Sequence, residues 1–130
     1  MIIIDHIDHV ALTVASIKRA CKFYSEKLGM EIVTFGNDRK ALKFGGHKIN
    51  LHQLGNEPEP KARNVHPGSV DICFITKTRV EKVREELIAK NVVLISEVVP
   101  RLGAMGEIRS IYFHDPDGNL LEISNYIDED

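Results

Sequence analysis

Apolar and polar residues alternate along His9–Val14: Val10, Leu12 and Val14 fall on one side, His9, Ala11 and Thr13 on the other, as in a strand with one buried face. The period then changes. Ile17, Ala20, Cys21, Tyr24 and Leu28 recur at three- and four-residue intervals, which predicts an amphipathic helix with Ser16 as N-cap and Gly29 as C-terminal stop. Strands follow at Met30–Phe35, Lys40–Phe44 and Lys48–Leu54, separated by turns at 36–38 and at Gly45-Gly46. The same order then returns: a strand at Val70–Thr76, a helix from Thr78 carrying Val80, Val83, Leu87 and Ile88 to a stop at Asn91, and strands at Val92–Val98, Ile108–Phe113 and Asn119–Tyr126. The expected fold class is α+β, two βαβββ modules in tandem that form a curved, cleft-like mixed sheet with helices on the outer face. Module one spans 4–54, a Pro-, Gly- and charge-rich linker spans 55–69, and module two spans 70–127, together one domain over 1–130.

The halves are also alike residue by residue. A slide of 62 lays His9 on Asp71 and Gly29 on Asn91; a slide of 70 lays Gly45-Gly46 on Asp115-Pro116 and His52 on Glu122. The extra segment Pro100–Gly106 accounts for the growth of the slide, and its glycines around Met105 read as a lid or as a plain surface loop. Strand parity places His9, Ala11 and Thr13 on the face away from the helix, and by the repeat Asp71, Cys73 and Ile75 with them; Asn50, His52 and Leu54 form one set, and Leu120, Glu122 and Ser124 another. Ionisable side chains on inner sheet faces are costly unless paired, hydrated or metal-bound. Two imidazoles and two carboxylates, His9, His52, Asp71 and Glu122, are donors that a divalent Zn, Ni, Co, Mn or Fe ion accepts with positions left for substrate. Asn50 and Tyr112 share the inner parity as substrate contacts or core, and Cys73 as a reactive thiol or a small hydrophobe.

Composition narrows the setting. With 130 residues, 43% hydrophobic and 28% charged, the chain can bury a real core, and its net charge of −2 gives no footprint for nucleic acid. Cys21 and Cys73, without CxxC spacing, fit a reducing compartment. Met1-Ile2-Ile3-Ile4 is interrupted by Asp5, His6, Asp8 and His9, too soon for a signal segment or membrane span, so a cytoplasmic protein with no membrane partner is expected. His6, His47, His66 and His114 read as surface residues, Asp115–Gly118 as a turn rather than a calcium loop, and Asp128–Asp130 as a frayed tail. Arg39, Arg63, Arg101 and Arg109 are scattered, which gives no signature for glutathione or coenzyme A. Open sheets with edges to cover predict a homodimer.

The opening Ile-Asp-His-Val-Ala-Leu-Thr-Val and the closing Tyr112-Phe-His-Asp-Pro-Asp-Gly-Asn-Leu-Leu-Glu-Ile-Ser124, set in two βαβββ units, resemble the vicinal oxygen chelate superfamily. It includes glyoxalase I, methylmalonyl-CoA epimerase, fosfomycin-resistance thiol transferases, extradiol dioxygenases and bleomycin-resistance proteins. Within it, Ile49–Gly55, Glu59–Lys61 and Pro67–Thr76 are similar to the glyoxalase domain-containing protein 5 subgroup. The resemblance implies a metal on the first and last strands of each module, hence His9, His52, Asp71 and Glu122. Glyoxalase I has a carboxylate where this chain has His52 and a His where it has Asp71, so the donor inventory is kept with its order exchanged. Fosfomycin-resistance and dioxygenase members use the positions of His9, Asp71 and Glu122, again with His at the second.

The implied chemistry is chelation of a small substrate through adjacent oxygens, with Glu122 first and Asp71 second as the carboxylate that moves a proton. The leading expectation is a metal-dependent lyase or isomerase of the glyoxalase kind, whose four donors meet within one chain or across a dimer. The alternatives are a metal-free small-molecule binding or resistance protein of the bleomycin-resistance type, in which those residues are salt-bridged, and a dioxygenase or thiol transferase.

Overall fold

The computed structural model describes residues 1–127, and the acidic stretch Asp128–Asp130 lies outside them. Two units divide the chain, one spanning Met1–Pro67 and the other beginning at Gly68. In the first, β1 (His9–Val14), α1 (Ile17–Leu28), β2 (Glu31–Phe35), β3 (Arg39–Phe44) and β4 (His47–Gln53) make a sheet of order β1-β4-β3-β2. In the second, β5 (Asp71–Ile75), α2 (Val80–Ala89), β6 (Val99–Gly103), β7 (Gly106–His114) and β8 (Leu120–Tyr126) repeat it as β5-β8-β7-β6. The first and last strands of each unit pair in parallel and the remaining pairs are antiparallel. The expected α+β tandem of βαβββ modules is therefore present. No helix among the described residues is long and apolar enough to cross a membrane.

Each helix covers one face of its own sheet. Helix α1 starts where Ser16 Oγ accepts the Arg19 amide at 3.2 Å and stops at Gly29, whose φ of 70° is the left-handed conformation that lets the chain turn away. It buries Ala20, Cys21 and Tyr24 against β2, β3 and β4, where Leu42, Ile49 and Leu51 are buried. Helix α2 buries Val80 and Leu87 against β7 and β8, and Asn91 (φ 65°) ends that segment as Gly29 ends the first. Fully burying one such aliphatic side chain contributes about 2 kcal/mol.

A side-chain amide from the last strand secures the entry to each helix. Gln53 accepts the Ile17 amide at 3.1 Å and donates to the Ala15 carbonyl at 2.7 Å. Asn125 does the same in the second unit, accepting the Val80 amide at 2.7 Å and donating to the Thr76 and Thr78 carbonyls, both at 2.8 Å. Arg79, the N-cap of α2, makes no capping hydrogen bond of its own, so the side-chain cap comes from β8.

The structure departs from the sequence reading between α2 and β7. Val92–Val98 has strand composition, yet it forms no named strand and meets β7 through the isolated Leu94–Phe113 bridge and the Ile95 amide bond to the Tyr112 carbonyl at 2.8 Å. The strand lies further on, in the segment expected to be a loop: β6 pairs with β7 through a two-residue turn at Ala104-Met105. Pro100 is tolerated because β6 is an edge strand. At Gly103 the fit is tight: a Cβ there would stand 3.0 Å from Tyr126 Oη and 3.1 Å from Ile108 Cγ2, so a larger residue would require those side chains to give way, and Tyr126 Oη accepts the Met105 amide at 3.1 Å. In the Asp115–Gly118 turn, Asp115 Oδ1 accepts the Asp117 and Asn119 amides at 2.9 and 3.0 Å, and Asn119 Oδ1 accepts the Val70 amide at 2.9 Å. The turn expectation there holds.

Replacing Asn125 by Ala leaves the buried Val80 amide without an acceptor and is expected to cost about 2 kcal/mol of stability. Urea unfolding should show a lower midpoint at unchanged slope, and an unmoved midpoint would contradict the clamp.

Candidate functional site

Strand register decides which side chains share the face turned away from each helix. In the second unit Asp71 pairs with Leu120, Cys73 with Glu122 and Ile75 with Ser124, while Tyr112 and Ser110 on β7 oppose Glu122 and Ser124. Asp71 and Glu122 are thus diagonal neighbours on adjacent strands, about 8 Å apart at ordinary strand spacings. The structure brings these two together.

In the first unit His9 pairs with Lys48, Ala11 with Asn50 and Thr13 with His52. His9 and His52 therefore stand four residues apart along neighbouring strands, about 13 Å at 3.3 Å per residue. The two histidines are not brought together. Superimposing the registers puts Lys48 where Leu120 stands, Asn50 where Glu122 stands and His52 where Ser124 stands. The paired Gln53 and Asn125 clamps obey the same superposition, which lies two residues from the slide that matched His52 to Glu122. Asn50 is 7% exposed, and its Oδ1 has no hydrogen-bond partner. Parity in the sequence had put Asn50 on this face; the unsatisfied oxygen appears only in the structure.

Glu122 is held from one side. Ser110 Oγ donates to Glu122 Oε2 at 2.6 Å, and with its proton placed there Ser110 accepts from Ser124 Oγ at 2.6 Å. Cys73 Sγ reaches Ser124 Oγ at 3.4 Å, which extends the row to the thiol. Burial pushes the Cys73 thiol above its ordinary value; the Ser124 contact opposes this, and the charges of Glu122 and Asp71 reinforce it. The hydroxyl of Tyr112 is also raised, first by burial, with Arg101's hydrogen bond drawing it back and the Glu122 charge raising it again. Cys73, Tyr112, Arg101 and Glu122 border a cavity of about 400 Å³ that is also lined by Ile75, Ile108, Tyr126 and the β6–β7 turn. The segment read as a lid or loop is thus a wall of this cavity.

The donors suit a divalent metal in kind. His9 Nδ1 bonds Asp8 Oδ2 at 2.7 Å, the carboxylate–imidazole pairing that leaves Nε2 as a ligand atom. That contact holds the Asp8 carboxyl below its ordinary value. Burial, then the Arg39 charge, push His52 down, with Glu57 opposing, so the neutral ligand form prevails at pH 7. Among the described residues, no three His, Cys, Asp or Glu side chains gather closely enough to hold an ion. His6 bonds the adjacent Asp5, and His47, His66 and His114 are exposed, as expected of surface residues.

Residues 6–123 match the family model of the Glyoxalase/Bleomycin resistance protein/Dioxygenase superfamily. Virulence protein STM3117 of Salmonella typhimurium is 53% identical over 125 residues, 96% of this chain and 87% of that protein. Its crystal structure matches with a TM-score of 0.96 at 52% identity, over 97% of this chain and 100% of that one. The integron cassette protein VCH_CASS1 from the mobile metagenome of V. Cholerae matches with a TM-score of 0.95 at 52% identity, over 97% and 98% of the two chains. Glyoxalase domain-containing protein RDO1 of Mycosarcoma maydis is 44% identical over 122 residues, 94% of this chain and 69% of that protein.

Because the Glu122 charge helps to raise the Cys73 thiol, Glu122→Gln is expected to move the pH profile of Cys73 alkylation to lower pH, so that the reaction below the wild-type midpoint becomes faster. Iodoacetamide kinetics with mass-spectrometric assignment, Cys21 being buried, test this; an unshifted profile would show that the two groups are uncoupled.

Proposed function

Since the chain belongs to the glyoxalase/bleomycin resistance protein/dioxygenase superfamily, we propose that it is a metal-dependent enzyme of the glyoxalase type, a lyase or isomerase that moves a proton on a small substrate with adjacent oxygens. The observation that carries this reading is Glu122: a carboxylate on an inner sheet face, fixed by Ser110 and bordering a cavity of about 400 Å³. That volume lies in the range of small-molecule sites.

His9, Asp71 and Glu122 are the proposed donors, with the fourth on β4, where His52 brings the ligand type and Asn50 the position. A bound Zn, Ni, Co, Mn or Fe ion supplies Lewis acidity that makes a neighbouring C–H or water more acidic. The chain's own residues do the rest. Asp8 orients the His9 ring, and Ser110 holds Glu122 Oε2, which leaves Oε1 as the oxygen that would serve as donor or, when released from that role, take the substrate proton. Asp71, diagonal to it, is the second proton carrier. Ile75 and Ile108 give the cavity apolar surface, which strengthens every charge interaction inside it.

A homodimer in the cytoplasm is the proposed setting. Ile2, Ile3, Ile4 and Ile7 stand 71% or more exposed, an apolar stretch that a monomer seldom leaves bare, and both cysteines are free thiols, as a reducing compartment requires. Sedimentation at micromolar protein is expected to give the dimer, and a monomer would count against it.

Elemental analysis of protein purified without chelator or affinity-tag metal is expected to find near one equivalent of transition metal per chain, lost in His9→Ala with Glu122→Ala. Asn50→Ala and His52→Ala, compared side by side, identify the fourth donor by which of them loses metal. Glu122→Gln is expected to cut proton exchange between substrate and deuterated solvent by at least about a hundredfold. Metal-free protein that refuses reconstitution, with no exchange on any small oxygen-chelating compound, returns the chain to the metal-free binding reading.

A further inference from the structure

The cavity beside Glu122 also carries a cation held in place. Arg101, on the edge strand β6, donates from Nε to Tyr112 Oη at 3.0 Å and from Nη1 to the Pro100 carbonyl at 2.8 Å, and its guanidinium stands 5.4 Å from the Tyr112 ring centroid. Two of its five N–H groups fix the plane; the others, including both on Nη2, remain for a ligand. Elsewhere in this unit Arg84 is matched to Glu97, and Arg109 to Glu81. Among the described residues no carboxylate is paired with Arg101.

We infer that this cavity takes a small monocarboxylate, its carboxylate on the Arg101 guanidinium and its acidic carbon toward Glu122, with Tyr112 between them. The guanidinium fork matches the two oxygens of a carboxylate in spacing and plane. Arg101 sets the charge: one guanidinium supplies a single positive charge, which one carboxylate balances and a doubly charged phosphate exceeds, so a monoanion is favoured over a phosphate. The volume of about 400 Å³ sits near the lower end for ligand sites, which favours a compact molecule over a large conjugate. Arg101 looked like one of four scattered arginines in the sequence. The β6–β7 hairpin, which the sequence did not reveal, is what puts it on the cavity wall.

The assignment rests on the reading of Glu122 for the direction of the substrate, but not for the carboxylate preference, and the test separates the two. The probes are 2-hydroxybutyrate, its neutral amide and inorganic phosphate, titrated into the protein as purified and again after chelation, so that binding to a metal cannot supply the preference; amide shifts of the labelled protein are the readout. The acid is expected to bind about tenfold more tightly than the amide, as for one charge-assisted contact on an exposed group. Arg101→Met should abolish that difference, and Arg101→Lys should keep part of it. Equal affinities for acid and amide in the unaltered protein would overturn the assignment without recourse to any variant. So would a preference that survives Arg101→Met, phosphate binding more tightly than the acid, or no binding of either organic probe at millimolar concentration. If the preference holds while Glu122→Gln leaves substrate proton exchange intact, the Glu122 reading fails alone; if Glu122-dependent exchange occurs without any carboxylate preference, the Arg101 assignment fails alone.

Discussion

The parallel pairing of the first and last strands in each unit is the constraint on which the rest of the structure depends. Parallel neighbours cannot be joined by a tight turn, so the chain must leave the sheet, form a helix and return through a hairpin before its last strand can lie beside its first. That pairing sets register, and register sets faces. A slip of one residue between β5 and β8 would turn Glu122 toward α2 and Leu121 or Ile123 toward the cavity. Gln53 and Asn125 guard against it, because each sits on the returning strand and bonds the backbone where the first strand gives way to the helix.

Much of this was legible in the residues, and the part that was not has a common cause. Period-two and period-3.6 patterns located β1, α1, α2 and β8, and Ser16, Gly29 and Asn91 marked helix ends by capping chemistry that is local to a few residues. Long-range pairing leaves no such mark. The offset between His9 and the residue beside it on β4 depends on the length of the intervening helix and hairpin, so sliding one half over the other matched His52 to Glu122 when the hydrogen-bonded register matches Asn50. Edge strand β6 was hidden for a related reason: Pro100, Gly103 and Gly106 are loop formers by local preference, and only an outer edge and a nearby Tyr126 hydroxyl make them serviceable in a hairpin.

Face assignment was the robust step. It placed Asp71, Cys73, Glu122, Ser124 and Tyr112 together from parity alone, and the registers of β5, β7 and β8 bear it out. What parity could not supply was the chemistry between them: the hydroxyls that orient one oxygen of Glu122, the burial that, with the charges of Glu122 and Asp71, raises the Cys73 thiol above its ordinary value, and the arginine that reaches in from β6. A carboxylate fixed by a serine, a guanidinium held by Tyr112 and the Pro100 carbonyl with no carboxylate paired to it among the described residues, and the side chains of Ile75 and Ile108 give this face of the second unit both charge and apolar surface.

The most direct measurement is an anomalous difference map at the absorption edge of a transition metal, from crystals of the protein reconstituted with that metal. The account predicts one strong peak per chain within bonding distance of Glu122, Asp71 and His9 Nε2, with a fourth contact from β4. A map with no peak at Glu122, or a metal seated on other residues, would contradict it.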